Sequence, residues 1–153
     1  MPHSLLGKTN NMKKLILAFI LTTLTTSVYA RDDVSQYSIA TLLDSSKAKE
    51  VLLDIPLYFS TQKHKAVAKK YGEVATNKKT NAFMKSDTEA CEWVMLSALK
   101  ALQERAIREG MDAVVNIESN YKNRPFTSET EFQCGAGNVM AGVALKGTLV
   151  KFK

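Results

Sequence analysis

The chain has two cysteines, Cys91 and Cys134, and they are its residues best suited to covalent or metal chemistry. A thiol pair can be oxidised to a disulfide, remain as free thiols in the core, or supply two ligands to a metal. A zinc site takes about four ligands, whereas His3 and His64 are the only histidines. In an oxidising compartment an even number of cysteines favours the disulfide.

Three glutamates, Glu118, Glu129 and Glu131, are the candidates for acid–base or cation chemistry. Glu129 and Glu131 are two positions apart in a predicted strand, so their side chains share one face, and Glu118 lies in the strand before it. Paired carboxylates can exchange protons or hold a hard cation, but on an exposed sheet face they are more often solvated. No serine or cysteine nucleophile is accompanied by a second histidine beside His64, so a hydrolase triad has no support and we predict no catalytic residue. We also predict no bound metal and no cofactor.

Lysines are concentrated in one stretch, where they could bind an anionic partner. Such a run is more often a solvated face or a loop. Tyr71 is the only Phe, Tyr or Trp residue within it, so base stacking, and with it nucleic-acid binding, is not indicated. The candidate patch consists of Lys63, Lys65, Lys69, Lys70, Lys78 and Lys79.

The first 30 residues have the three-part pattern of a secretory signal peptide. Two lysines at 13–14 precede an apolar run over 15–21, and Ala30 is followed by charged residues. A membrane anchor or a helix of the fold is the alternative, but the run is shorter than the roughly 20 residues that span a bilayer. We expect translation to begin at Met12 and cleavage after Ala30, where no cysteine is present to carry a lipid anchor.

Cleavage would leave residues 31–153 as one exported domain, which we expect in the periplasm. It would remove Lys8, Lys13 and Lys14 but no acid, so the formal net charge would fall from +6 to +3. Export would also bring both cysteines into an oxidising compartment, which favours a disulfide between them. Finally, it excludes activities that depend on cytoplasmic ATP or on the chromosome.

A long helix is predicted from Asp87 to Glu109. Ser86 and Glu89 form a capping box at its start, and Gly110 provides a left-handed stop at its end. Apolar residues recur at helical spacing and define a face toward the core: Cys91, Val94, Met95, Ala98, Leu99, Leu102 and Ala106.

After the helix the apolar period changes to two, which is typical of strands. We predict strands over 113–121, 126–134 and 139–152. The last of them should be central, because its first half is apolar on both faces. In the first of them, Val115 and Ile117 would share one face. The C-terminal unit is therefore a helix followed by three strands.

The sequence before the helix is less regular. Residues 37–43 fit a short strand or a turn of helix. Residues 51–59 have the β-branched and aromatic content of a strand, in which Pro56 indicates an edge or a bulge. Together the elements predict an α+β fold with one long helix packed on a mostly antiparallel sheet. The domain over 31–153 is best defined from 79 to 153.

Two segments of the C-terminal half carry a family resemblance. The run 98–117 joins helix to strand through Gly110-Met111-Asp112-Ala113-Val114-Val115, and 142–151 forms the last strand. They resemble a family of small bacterial proteins named for heavy-metal binding, and an outer-membrane stress-sensor lipoprotein of the Rcs phosphorelay has a related, disulfide-stapled fold. The resemblance implies the fold. Metal binding has less support, because the chain lacks a Cys-x-x-Cys pair and a His-rich tract.

A wider resemblance covers residues 79–153. Its motifs are Lys79-Thr80-Asn81-Ala82-Phe83, Ala90-Cys91-Glu92-Trp93 and Glu131-Phe132-Gln133-Cys134-Gly135-Ala136-Gly137. They are similar to those of a group of exported proteobacterial proteins of unknown role, many of which carry the label "excinuclease ATPase subunit". The resemblance implies an exported domain of this fold. An ATPase would need a Gly-x-x-x-x-Gly-Lys-Ser/Thr loop, which the sequence lacks.

The sequence therefore predicts a soluble periplasmic domain that binds a partner or senses the state of the envelope and is not an enzyme. A disulfide between Cys91 and Cys134 is predicted to cross-link this domain. Its partner would be another envelope protein or an anionic envelope component that docks on the lysine-rich stretch. A homo-oligomer is compatible with the sequence, whereas nucleic acid and a membrane anchor after cleavage are not expected. The alternative is a periplasmic protein that binds a metal or small ligand through Glu118, Glu129 and Glu131 or through a pocket at the sheet edge.

Overall fold

The computed structural model describes residues 30–153, in which one long helix packs on a six-stranded sheet. The predicted signal peptide, except for Ala30, lies outside the described residues. No helix of the described part is long and apolar enough to cross a membrane. The elements in chain order are β1 (Asp33–Ser38), α1 (Ile39–Asp44), α2 (Ser46–Val51), β2 (Leu57–Phe59), β3 (Val67–Asn81), α3 (Asp87–Arg108), β4 (Ala113–Ser119), a 3-10 turn (Tyr121–Asn123), β5 (Glu131–Ala136) and β6 (Met140–Phe152).

Strand β6 is the centre of the sheet, as its apolar character predicts. Strand β3 pairs antiparallel with one edge of β6 along its whole length. The other edge of β6 is shared by β4 and β5, which are also antiparallel to it. Strand β2 is added parallel to β4, and β1 is added antiparallel to β5. The α+β class and the mostly antiparallel sheet are confirmed.

Helix α3 begins and ends where its sequence signals predict. The Ser86 hydroxyl accepts a hydrogen bond from the backbone N–H of Glu89 at 3.1 Å, and Gly110 has a φ of 66° beyond the last turn. The predicted apolar face of the helix is buried throughout. It packs against β3, β5 and β6 in a core that extends from Ile39 of α1 to Leu149 of β6.

Strand β4 departs from the predicted alternation at Asn116. This residue has a φ of 52°, which asparagine tolerates better than most residues, and the register with β6 shifts between Val115 and Glu118. Ile117 therefore joins the main core, whereas Val115 packs with Val150 in a small cluster on the other face. The prediction that Val115 and Ile117 share a face is wrong, because a strict period of two does not anticipate a bulge.

The segments before β3 are shorter and more varied than the sequence predicts. Residues 37–43 contain the end of β1 and most of α1, so both predicted alternatives occur, one after the other. Within 51–59 only Leu57–Phe59 is a strand, and it lies at the edge of the sheet directly after Pro56. The extended strand predicted for 51–59 is therefore wrong, and the edge indicated by Pro56 is confirmed.

Strand β5 is also shorter than predicted and begins at Glu131 rather than at residue 126. The Ser128 hydroxyl accepts hydrogen bonds from the backbone N–H groups of Thr130, at 3.2 Å, and Glu131, at 3.1 Å. Such local bonds compete with the ladder of a sheet. Glu129 consequently lies before the strand, and the prediction that Glu129 and Glu131 share a strand face is wrong.

Gln103 is a buried polar residue of α3 that fixes the loop before β2. Its side-chain oxygen accepts a hydrogen bond from the N–H of Leu53 at 2.8 Å. Its amide nitrogen donates to the carbonyl oxygens of Leu53, at 2.8 Å, and Ile55, at 2.7 Å. These bonds satisfy the buried amide and tie the loop over 52–56 to the helix.

Candidate functional site

Cys91 and Cys134 form the predicted disulfide. Their sulfur atoms are 2.02 Å apart, and their Cα atoms are 5.8 Å apart. Cys91 lies near the start of α3 and Cys134 in β5, and both side chains are buried. The bond joins the helix to the sheet inside the core. It is therefore a structural cross-link rather than an accessible pair of reactive thiols.

The structure divides the lysine-rich stretch between β3 and the loop before it. The register with β6 puts Lys70 and Lys79 on the open face of the sheet, which is turned away from α3. Lys69 and Lys78 lie on the face against which α3 packs. Lys70 and Lys79 are roughly 30 Å apart along the strand, and the loop over 63–65 carries the other two lysines. All six side chains are exposed, but they do not form one patch.

Two arginines of α3 lie beside the middle of β3 and add to its positive charge. A groove of about 290 Å³ runs between the strand and the helix, and its walls include Val74, Thr76, Arg105 and Arg108. We define the outer edge of β3 together with the cations on both of its sides as the cationic edge. Its positively charged residues are Lys69, Lys70, Lys78, Lys79, Arg105 and Arg108.

Arg105 is held in position by Tyr71 and Glu109. Its Nη2 donates a hydrogen bond to the Tyr71 hydroxyl at 3.0 Å, and its guanidinium lies 5.7 Å from the centre of the Tyr71 ring. Its Nε is 2.8 Å from Glu109 Oε1, in an ion pair that lacks the alignment of a hydrogen bond. Tyr71 first, and then Glu109, raise the pKa of Arg105, which stays fully charged.

Sequence reasoning missed these two arginines. At the C-terminal end of a helix, basic residues are expected simply because they complement the helix dipole. The available signal is the spacing of Ala101, Arg105 and Arg108, which places all three on one face of α3. That face borders β3 only because the helix crosses the sheet, and this cannot be read from the helix alone.

The three candidate glutamates have separate surroundings. Glu118 Oε2 accepts a hydrogen bond from the Thr127 hydroxyl at 3.1 Å, and Glu129 Oε1 accepts one from the Thr61 hydroxyl at 2.5 Å. Glu131 is exposed at the start of β5. Within residues 30–153 no three His, Cys, Asp or Glu side chains are grouped so as to hold a metal ion.

A cleft of about 480 Å³ lies on the open face beside the start of β6. The ring of Tyr121 forms one of its walls and lies over two glycines. A Cβ atom on Gly135 would be 2.1 Å from the Tyr121 hydroxyl, and one on Gly142 would be 3.4 Å from the ring. These glycines therefore make room for the tyrosine, and we call the space the Tyr121 cleft.

Asp32 holds Tyr121 in this position. The Tyr121 hydroxyl donates a hydrogen bond to Asp32 Oδ1 at 3.2 Å, and Lys122 forms an ion pair with the same carboxylate. Lys122 holds the pKa of Asp32 below its ordinary value, while burial raises the pKa of Tyr121. Lys79 also lines the cleft, and it forms no ion pair with another described residue.

The cationic edge and the Tyr121 cleft meet at Lys79, which belongs to both. The edge offers positive charge along a strand, whereas the cleft offers a small concave space with an aromatic wall. The chain matches no family model, no curated protein and no solved structure, so the family resemblances of the C-terminal half stay predictions.

Proposed function

We propose that the chain is an exported, soluble periplasmic domain without enzymatic activity that binds an anionic envelope partner at the cationic edge. The distribution of charge around β3 carries the proposal. Four lysines of this strand and two arginines beside it provide the positive charge, and two of the acids next to them are already paired. Glu73 is 3.4 Å from Lys146, and Glu109 is 2.8 Å from Arg105. An approaching anion would meet positive charge that is only partly neutralised.

Tyr71 argues against nucleic acid as the anionic partner. Proteins that hold single strands offer aromatic rings on which bases stack. The Tyr71 ring already has the Arg105 guanidinium 5.7 Å from its centre. A protein or another anionic component of the envelope therefore suits this surface better.

The start of the described chain supports cleavage after Ala30. Arg31 forms an ion pair with Asp87 in the first turn of α3, and Asp32 holds Tyr121. A chain cleaved after Ala30 would therefore begin with residues that contact the folded domain. The disulfide is compatible with the oxidising compartment that export implies.

Labelled dextran sulfate, a soluble polyanion with no peptide groups, is the probe for the charge requirement. Replacing Lys69, Lys70, Lys78 and Lys79 with glutamine should weaken its binding about tenfold or more at low salt, because the cations on both sides of β3 are lost. Added salt should weaken binding to the unaltered protein, because the interaction is between exposed charges. Fluorescence anisotropy measures both effects.

A variant with the same change in net charge is the control. Lys49, Lys63, Lys65 and Lys153 are exposed and lie outside the cationic edge. Their replacement with glutamine should change the dissociation constant for dextran sulfate no more than about twofold. Equal losses in the two variants would mean that binding follows net charge alone, and no loss in either would remove the cationic edge from the proposal.

A small-ligand-binding protein is the second candidate function, and the Tyr121 cleft is the observation that favours it. Val139 and Met140 give the cleft apolar walls beside the Tyr121 ring, and Lys79 provides a cation. A compact ligand with an apolar body and one anionic group would match these features. Such a ligand, if retained through purification, would add its mass to the native protein under non-denaturing mass spectrometry.

A further inference from the structure

The outer edge of β3 presents backbone groups that the sheet leaves unpaired. In the part of the chain that the structure describes, β3 pairs only with β6. The N–H of Ala82 donates to the carbonyl oxygen of Val139 at 2.7 Å, just beyond the end of the ladder. Because bonded and non-bonded pairs alternate in an antiparallel ladder, every second residue before Ala82 also bonds to β6. The residues between them, including Ala75 and Asn77, direct their N–H and C=O groups outward.

The register makes this assignment unambiguous over the middle of the strand. Pairing runs without a shift from Gly72 opposite Leu149 to Asn81 opposite Met140. The irregularities of β3 lie earlier, between Val67 and Gly72. The outward backbone groups therefore form a regular row, which is the template to which an additional strand can bind.

A second copy of β3 fits this edge poorly. Each copy of β3 carries four lysines and one acid, Glu73, so edge-to-edge pairing would bring together two strands that each have a net charge of +3. Antiparallel pairing centred on Lys78, for example, would place this lysine opposite its own copy. Like charges directly opposite one another destabilise a pair of strands. Lysines on an edge strand commonly protect it in this way from pairing with itself.

An acidic strand fits the same edge well. Side chains of an added strand would alternate between the two faces of the sheet. On the α3 side they would enter the groove beside Arg105 and Arg108, and on the open face they would lie between Lys70 and Lys79. At the centre, the small side chain of Ala75 leaves the backbone accessible.

We propose that the outer edge of β3 binds an extended acidic segment of a partner protein as an added strand. This inference rests on the proposed function and names the class of partner for the same surface. Backbone hydrogen bonds from the outward groups of β3 would align the segment, and its carboxylates would pair with cations of the cationic edge on one or both faces. The backbone hydrogen bonds and the charge pairs can be tested separately, because only the hydrogen bonds require a free N–H on β3.

Ala75→Pro is the variant that separates them. Proline removes the outward N–H of residue 75 and no bond to β6, and edge strands tolerate proline at such positions. The probe is a capped peptide of alternating glutamate and threonine, about ten residues long, which is a usual upper length for a strand. We expect Ala75→Pro to weaken binding of this peptide about tenfold or more while leaving dextran sulfate binding unchanged.

Two controls accompany the variant. Ala75→Val keeps the N–H and should bind the peptide as tightly as the unaltered protein. A version of the glutamate–threonine peptide that is N-methylated at every backbone nitrogen has the same charge but no N–H with which to pair as a strand, so it should bind at least about tenfold more weakly. If Ala75→Pro does not fold, hydrogen exchange on the unaltered protein decides, because the peptide should slow exchange at the N–H groups of Ala75 and Asn77.

The outcomes distinguish this inference from the proposed function. Peptide binding that is equal in the Ala75→Pro and unaltered proteins, or unprotected amides at Ala75 and Asn77, would overturn strand addition. If dextran sulfate still bound through the lysines of β3, the anionic-partner proposal would stand without it. If the unaltered protein bound neither the peptide nor dextran sulfate, both the strand-addition proposal and the anionic-partner proposal would be wrong.

Discussion

Removal of the Cys91–Cys134 disulfide should lower the free energy of unfolding by about 4 kcal/mol, the largest loss expected from a single change to the domain. The bond closes a segment of 43 positions. In the chain-entropy model, opening a loop of that size gives the unfolded chain about this much conformational freedom. Because domains are usually stable by about 5–15 kcal/mol, the loss would be a substantial part of the total.

Urea unfolding with and without a strong reductant measures this loss without changing any residue. The double variant Cys91→Ala/Cys134→Ala should resemble the reduced protein, with a further small loss from the cavity that the two sulfur atoms leave. Reductant should not affect the double variant, which controls for other actions of the reagent. A loss below about 1 kcal/mol on reduction would be at the bottom of the range for disulfides and would contradict the role assigned to this one.

Gln103→Leu should be the second most damaging change, with a loss of about 3 kcal/mol. The leucine fills most of the same volume but leaves three backbone groups, the N–H and C=O of Leu53 and the C=O of Ile55, without their partner. Each unsatisfied buried group costs about 1–3 kcal/mol. The loop is only partly buried, so water should replace some of these bonds and keep the total near the lower end.

The matched control is Gln36→Leu, because Gln36 is an exposed glutamine on β1. This change should alter the free energy of unfolding by less than about 0.5 kcal/mol. Urea unfolding of both variants in parallel tests the difference. If the two substitutions had equal effects, the hydrogen bonds of Gln103 would be of no consequence for stability, and the loop over 52–56 would depend on other contacts.

The elements that could be predicted from the sequence are those whose signals are local. Ser86, Glu89 and Gly110 specify the ends of α3 within a few residues of themselves. The continuous apolar character of β6 indicates a strand covered on both faces. The disulfide followed from the cysteine count, the expected compartment and the placement of both cysteines toward the core. In each case the physical cause lies within the segment that it shapes.

Strand β3 was missed because its sequence is typical of a solvated surface. Its exposed face and its ends carry lysines, and only Val74 and a few smaller residues turn toward the core. An edge strand with one open face buries too little to show an apolar pattern. The bulge at Asn116 in β4 escaped prediction for a different reason, because its left-handed conformation depends on the pairing with β6.

Only the lysines of the cationic edge could be predicted from the sequence, because the rest of this surface depends on how β3 and α3 are placed in the fold. Its lysines are close together in the sequence, but the period of two in a strand sends neighbours such as Lys69 and Lys70 to opposite faces. Its arginines come from α3, more than 25 residues further along the chain. The surface exists only where the helix crosses the sheet, and the free row of backbone groups can be recognised only from the register of β3 with β6.

The central claim, that this is an exported domain closed by one disulfide, is tested most directly by the intact mass of the protein isolated from a periplasmic fraction without reductant. The predicted result is the mass of residues 31–153 less two hydrogen atoms, with the two hydrogens regained on reduction. A chain found in the cytoplasm that still carries residues before Arg31 and has both thiols reduced would contradict the account.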